Sequence, residues 1–126
     1  MGTGTNIGRV RGLGSAKHGA MHWWRQRLTA GGNIVTMVWF VVSLFRLPSL
    51  DHASVSTWLH SPFNAVMMIL LVGSVFYHFR LGLQVVIEDY QHEGSRFVAI
   101  VLLNFYTLAL AAIAIFSILK IAFGAA

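Results

Sequence analysis

Three long stretches of this chain carry no formal charge: LTAGGNIVTMVWFVVSLF at 28–45, FNAVMMILLVGSVFYHF at 63–79 and FVAIVLLNFYTLALAAIAIFSIL at 97–119. A helix needs about 20 apolar residues to cross a hydrocarbon core about 30 Å thick, and each stretch approaches or exceeds that. The expected fold is all-α and integral to a membrane, with three transmembrane helices at about 24–46, 61–89 and 95–121. Pro48 and Pro62 bracket a polar first loop, PSLDHASVSTWLHSP, and QHEGSR carries the turn signals of the second. Composition agrees, because only 10% of the 126 residues are charged and 56% are apolar. A soluble domain usually carries about 25% charge, so a water-facing globule is nearly excluded. The chain divides into a basic segment, 1–23, and a three-span membrane domain, 24–126.

The absence of cysteine excludes disulfides, thiolate zinc sites and cysteine-held iron–sulfur clusters in this chain. The basic balance, nine Lys or Arg against four Asp or Glu, points to orientation in a membrane, with no role in nucleic-acid binding. Arg9, Arg11, Lys17, Arg25 and Arg27 precede or open the first span, and Arg96 lies at the second loop; Arg46 and Lys120 lie on the other side. Lys and Arg favour the cytoplasmic side, so the N-terminus is expected in the cytoplasm and the C-terminus in the periplasm. Trp23 and Trp24 stand where an interfacial aromatic belt begins. The first 22 residues lack an apolar core and do not read as a cleavable signal peptide. Gly8, Gly12 and Gly14 lack the strand and Lys-Ser/Thr of a phosphate loop, and read as a flexible tail.

The second span holds His78 and Arg80, and ionisable groups inside a membrane helix face a partner, a cavity or a cofactor. His78 is either a helix-to-helix hydrogen-bonding group or a ligand. On a helix, His78, Gly82, Val85 and Asp89 rotate through about 1100°, which returns Asp89 to within about 20° of the histidine face. Gly82 offers close approach to a flat group or to another helix. Tyr90 lies about 18 Å along the axis from His78, so an in-span imidazole and an interfacial phenol share one element. Arg80 either snorkels, meets a ligand's acidic group or pairs with another subunit. His52 and His60, eight apart in the first loop, read as surface residues, as do His18, His22 and His92; Asn104, Tyr106 and Thr107 read as interhelical hydrogen-bonding groups.

The string H-x3-G-x6-D-Y, at His78, Gly82, Asp89 and Tyr90, resembles the signature of the succinate dehydrogenase hydrophobic membrane anchor family, the smaller of two cytochrome b type anchors. HWWRQRLTA, with R-x-T-A at Arg27 to Ala30, resembles the start of that family's first membrane helix, and the tail RVRGLGSAKHG resembles its alphaproteobacterial members. The resemblance spans all three helices and implies half of a heterodimeric, haem-binding anchor bundle in a bacterial inner membrane. By that resemblance His78 is an axial ligand of haem b, shared with the large cytochrome b type anchor, and Arg27 lies near the haem propionates. Tyr90 would hydrogen-bond a ubiquinone carbonyl, with Asp89 beside it. FAD and iron–sulfur clusters would reside in the flavoprotein and iron–sulfur partner subunits, so the chain would be part of an enzyme, not catalytic alone. The alternatives are a haem b anchor of a fumarate reductase or another quinone oxidoreductase, and a non-redox membrane scaffold.

Overall fold

The structure is a computed structural model and describes residues 19–124. Gly8, Arg9, Arg11, Gly12, Gly14, Lys17 and His18 lie outside the described residues. Among the described residues four helices follow in order: α1 (Gly19–Arg46), α2 (His52–Leu59), α3 (Pro62–Tyr90) and α4 (Glu93–Ala122). The helices α1, α3 and α4 are each long and apolar enough to cross a membrane. The three expected spans are therefore present: the first begins five residues earlier, the second is shifted by one, and the third is longer by one or two residues at each end. At the start of α1 the extension has a visible cause, because the Arg27 guanidinium lies 4.0 Å above the Trp23 ring, one turn back. That cation–π contact and the absence of Gly or Pro between 20 and 30 carry the helix beyond its apolar portion.

The ends of the helices follow proline and cap chemistry. The residue before a proline avoids helical backbone angles, and α1 stops at Arg46, short of Leu47-Pro48. Pro62 opens α3, where its missing N–H is no loss. Between α3 and α4 only Gln91 and His92 are extended, and Glu93 begins the next helix with φ +51°. A non-glycine residue in that left-handed region is uncommon, and this tight reversal holds Tyr90 at the very end of α3.

The first loop departs from expectation by forming a helix of its own. Asp51 caps it, its carboxylate accepting from the Ser54 backbone N–H at 2.8 Å. That bond, followed by the hydroxyls of Ser54 and Ser49, holds the Asp51 carboxyl below its ordinary range. For a carboxyl lowered in the folded state, the stabilisation is full above the ordinary carboxylate range and is lost as pH falls through the lowered value. Amide exchange at Ser54 and Val55 is therefore expected to accelerate in Asp51→Ala and in strong acid, and to change little in Asp51→Asn, since Asn caps equally well.

The helix α3 is the centre of the bundle. It packs antiparallel against α1 on one side and α4 on the other, while α1 and α4 make no close approach to each other. The best-enclosed apolar cluster, Leu59, Ala65 and Ile118, joins α2 to the N-terminal end of α3 and the C-terminal end of α4. Trp58 of α2 stacks on Trp39 of α1 at 5.6 Å and closes the same end. At the other end, around Tyr90, the described residues leave the bundle open. Large apolar residues such as Ile34, Val38, Leu102 and Phe116 are exposed along the helices, as expected of surfaces that face lipid or other chains.

Candidate ligand and quinone site on the central helix

On α1 the residues His22, Gln26, Thr29, Asn33 and Thr36 recur at spacings of four, three, four and three. Such spacing places them on one helical face. All five are half-buried, whereas Leu28, Ile34, Val35 and Val38 are exposed, so α1 turns its polar stripe inward and its apolar side outward. In water this would be an inverted helix; in lipid it is a means of holding helices together through polar contacts.

The stripe meets α3 at three points. Gln26 Nε2 stands 3.6 Å from where a Cβ on Gly82 would be, which is ordinary contact. Thr29 Oγ1 lies 3.0 Å from His78 Nδ1. One turn further, Ser74 Oγ reaches the Thr29 carbonyl at 3.5 Å and lies 3.4 Å from a Cβ built on Gly32. His22 Nε2, Gln26 Oε1 and Asn33 Oδ1 are buried in this seam without hydrogen-bond partners among the described residues.

Of the residues singled out by sequence, His78 and Gly82 thus face α1 together. The packing of this chain alone does not require glycine at 82, because an added Cβ would fit. His78 is half-buried, and its Nε2 makes no hydrogen bond among the described residues. Arg27 sits two residues from Thr29, exposed and lying over Trp23. Asp89 and Tyr90 end α3, exposed, and neither side chain is hydrogen-bonded among the described residues. Glu88 accepts from Gln84 at 2.8 Å. His52 and His60, read as separate surface residues, line one cavity of about 410 Å³ with Lys120 at the opposite end of the bundle.

Arg80 points the other way. Two residues from His78 on a helix is a turn of about 200°, which carries Arg80 to the α4 side of α3. There its Nε donates to Asn104 Oδ1, so of the expected interhelical partners on α4 Asn104 is one. Thr107 instead donates to Leu103 O of its own helix at 2.7 Å. Arg80 and Asn104 line a groove of about 320 Å³ with Gly73, Tyr77 and Leu108. Asn104→Leu leaves the guanidinium without this acceptor inside the span, and we expect it to destabilise the detergent-solubilised protein by on the order of 1 kcal/mol. Adding Arg80→Met should recover most of that loss in the same unfolding measurement.

A sequence model of the succinate dehydrogenase/fumarate reductase transmembrane subunit matches residues 1–117. The chain belongs to this family. Among named members, the succinate dehydrogenase hydrophobic membrane anchor subunit of Rickettsia bellii (strain RML369-C) is 30% identical over 114 residues, covering 87% of this chain and 91% of that one. The subunit of the same name in Paracoccus denitrificans is 29% identical over 92% of this chain and 90% of its own. A succinate dehydrogenase membrane anchor subunit of Reclinomonas americana is 34% identical over 70% and 77%. No solved structure gives a significant match. As a member of a transmembrane anchor family with three apolar helices, the chain is a multi-pass membrane protein and a subunit that is not catalytic alone.

The polar stripe of α1 was missed by sequence reasoning, although R-x-T-A contains Thr29. The signal lay in the spacing of its polar residues, because hydropathy summed over a span does not register which face those residues share.

Proposed function

We propose that this chain is the smaller membrane anchor of a succinate:ubiquinone oxidoreductase, contributing one axial ligand to haem b and part of a quinone site. The observation that carries the reading is His78, an imidazole within the central span whose Nε2 is left without a partner among the described residues, in a chain of this family. Among those residues no three His, Asp or Glu side chains gather, so the donor set offers a single imidazole rather than a self-contained metal centre. That suits an iron shared with the larger cytochrome b type anchor. Bound there, the haem would supply one-electron storage. His78 would hold it through Nε2, with Gly82 beside it and Arg27 pairing with a propionate at the interface.

Tyr90 and Asp89 serve the quinone. Reducing a quinone takes two electrons and two protons, and a phenol at the wet edge of the membrane donates a hydrogen bond to the carbonyl oxygen as charge develops there. Asp89, adjacent on the same helix end, orients the phenol or exchanges protons with water. The exposure of both groups and the open end of the bundle support a pocket completed by other chains. Those chains are the larger anchor, an iron–sulfur subunit and a flavoprotein carrying FAD. The excess of Lys and Arg on the same side as Tyr90 supports a cytoplasmic location for that side in a bacterial inner membrane. The relatives named above favour succinate dehydrogenase over fumarate reductase.

Purification from membranes tests the whole reading. Flavoprotein and iron–sulfur chains are expected to co-purify, with a b-type band in the reduced-minus-oxidised spectrum. A complex without that band removes the haem assignment, and a chain purified without those partners removes the complex.

A further inference from the structure

Thr29 Oγ1 stands within hydrogen-bonding distance of three groups: Arg25 O at 2.8 Å, Gln26 O at 3.0 Å and His78 Nδ1 at 3.0 Å. A hydroxyl has one proton and two lone pairs. Both carbonyls can only accept, and each lies on the turn preceding Thr29 in its own helix, where a threonine proton is normally directed. These carbonyls draw the proton toward α1. With the proton there, the hydroxyl offers His78 a lone pair, the arrangement in which the ring donates and Nδ1 carries hydrogen. The lone pair of a neutral imidazole then falls on Nε2.

We propose that Thr29 is the positioning residue for His78, fixing the ring's tautomer and plane so that Nε2 is presented as the ligand nitrogen. The inference rests on the reading of His78 as a haem ligand and deepens it. It also gives the polar stripe of α1 a purpose. Ser74, bonded to the Thr29 carbonyl, holds the threonine against α3 at the level of the imidazole. A metal-bound imidazole that donates through its other nitrogen is a more basic ligand and favours the oxidised iron. Removing the acceptor should weaken haem retention on the order of 10-fold and move the midpoint potential in the positive direction.

The test compares Thr29→Val, Thr29→Ser and His78→Leu in the purified complex, reading haem content per flavin, the low-spin electron paramagnetic resonance spectrum and the midpoint potential. Valine keeps the shape and loses the oxygen; serine keeps the oxygen and loses the methyl. We expect the valine variant to lose haem, alter the low-spin signal and raise the potential, and the serine variant to resemble the parent. If valine leaves all three unchanged while His78→Leu loses the haem, the role of Thr29 is overturned and the ligand assignment stands. If serine behaves like valine, the methyl and not the hydroxyl matters, and the proposal is equally overturned. If His78→Leu retains the parent's haem spectrum, the ligand assignment and this proposal fall together.

Discussion

Replacing His78 by leucine is expected to abolish most of the b-type haem band of the complex while leaving succinate oxidation by artificial acceptors at the soluble subunits close to normal. Two roles compete for this residue, and their magnitudes separate them. As a helix-to-helix group, His78 contributes one hydrogen bond, with Thr29. Interhelical hydrogen bonds within membranes average about 0.6 kcal/mol and reach about 1.7, so losing one costs modest stability and no spectral feature. As an axial ligand, His78 provides a bond to iron for which leucine has no substitute. The expected haem loss then exceeds the roughly 10- to 100-fold typical of losing only a ligand's hydrogen-bond partner. Leucine is apolar and suits the span, so the anchor should still assemble, and the co-purified subunits provide the control. An unchanged spectrum in an assembled complex would reduce His78 to a packing residue.

The sequence made the spans legible because hydropathy is a property of single segments, and a segment that must satisfy its backbone within lipid has helix as its available form here. The second span was marked as the functional one because His78 and Arg80 break the apolar rule, and that needs no knowledge of neighbours. What each residue meets was not legible. His78 and Arg80 are two apart in the chain yet face different helices, one meeting Thr29 and the other Asn104. Only the position of α3 between α1 and α4 decides this, and that position arises from packing. The short helix α2 was hidden by its polar composition, although Asp51 three residues ahead of Ser54, and the apolar spacing of Val55, Trp58 and Leu59, carried the pattern of a capped amphipathic turn. The proposed quinone edge is the least complete part, since Asp89 and Tyr90 stand at a helix end without side-chain partners among the described residues, and the pocket as proposed is completed by other subunits.

Changing Tyr90 to phenylalanine is expected to depress quinone reduction on the order of 100-fold while sparing artificial-acceptor activity and the haem spectrum, because one positioned proton donor is removed from the reacting edge. The substitution isolates the hydroxyl. Tyr90 is 78% exposed and its hydroxyl has no hydrogen bond among the described residues, so the chain itself loses nothing, and stability should stay within about 0.5 kcal/mol of the parent. The competing role is that of an aromatic anchor at the membrane surface, a common location for tyrosine. An anchor works through its ring, and phenylalanine retains the ring. The anchor role therefore requires Tyr90→Phe to behave like the parent and Tyr90→Ala to weaken assembly, whereas the catalytic role requires the phenylalanine variant to fail in quinone kinetics with assembly intact. The split between kcat and KM locates the contact further. If the phenol acts chiefly as charge develops on the quinone oxygen, the loss falls on kcat; if it acts chiefly on the bound quinone, the loss appears as a raised KM. A phenylalanine variant with parental values of both would remove the Tyr90 hydroxyl from the proposed quinone site.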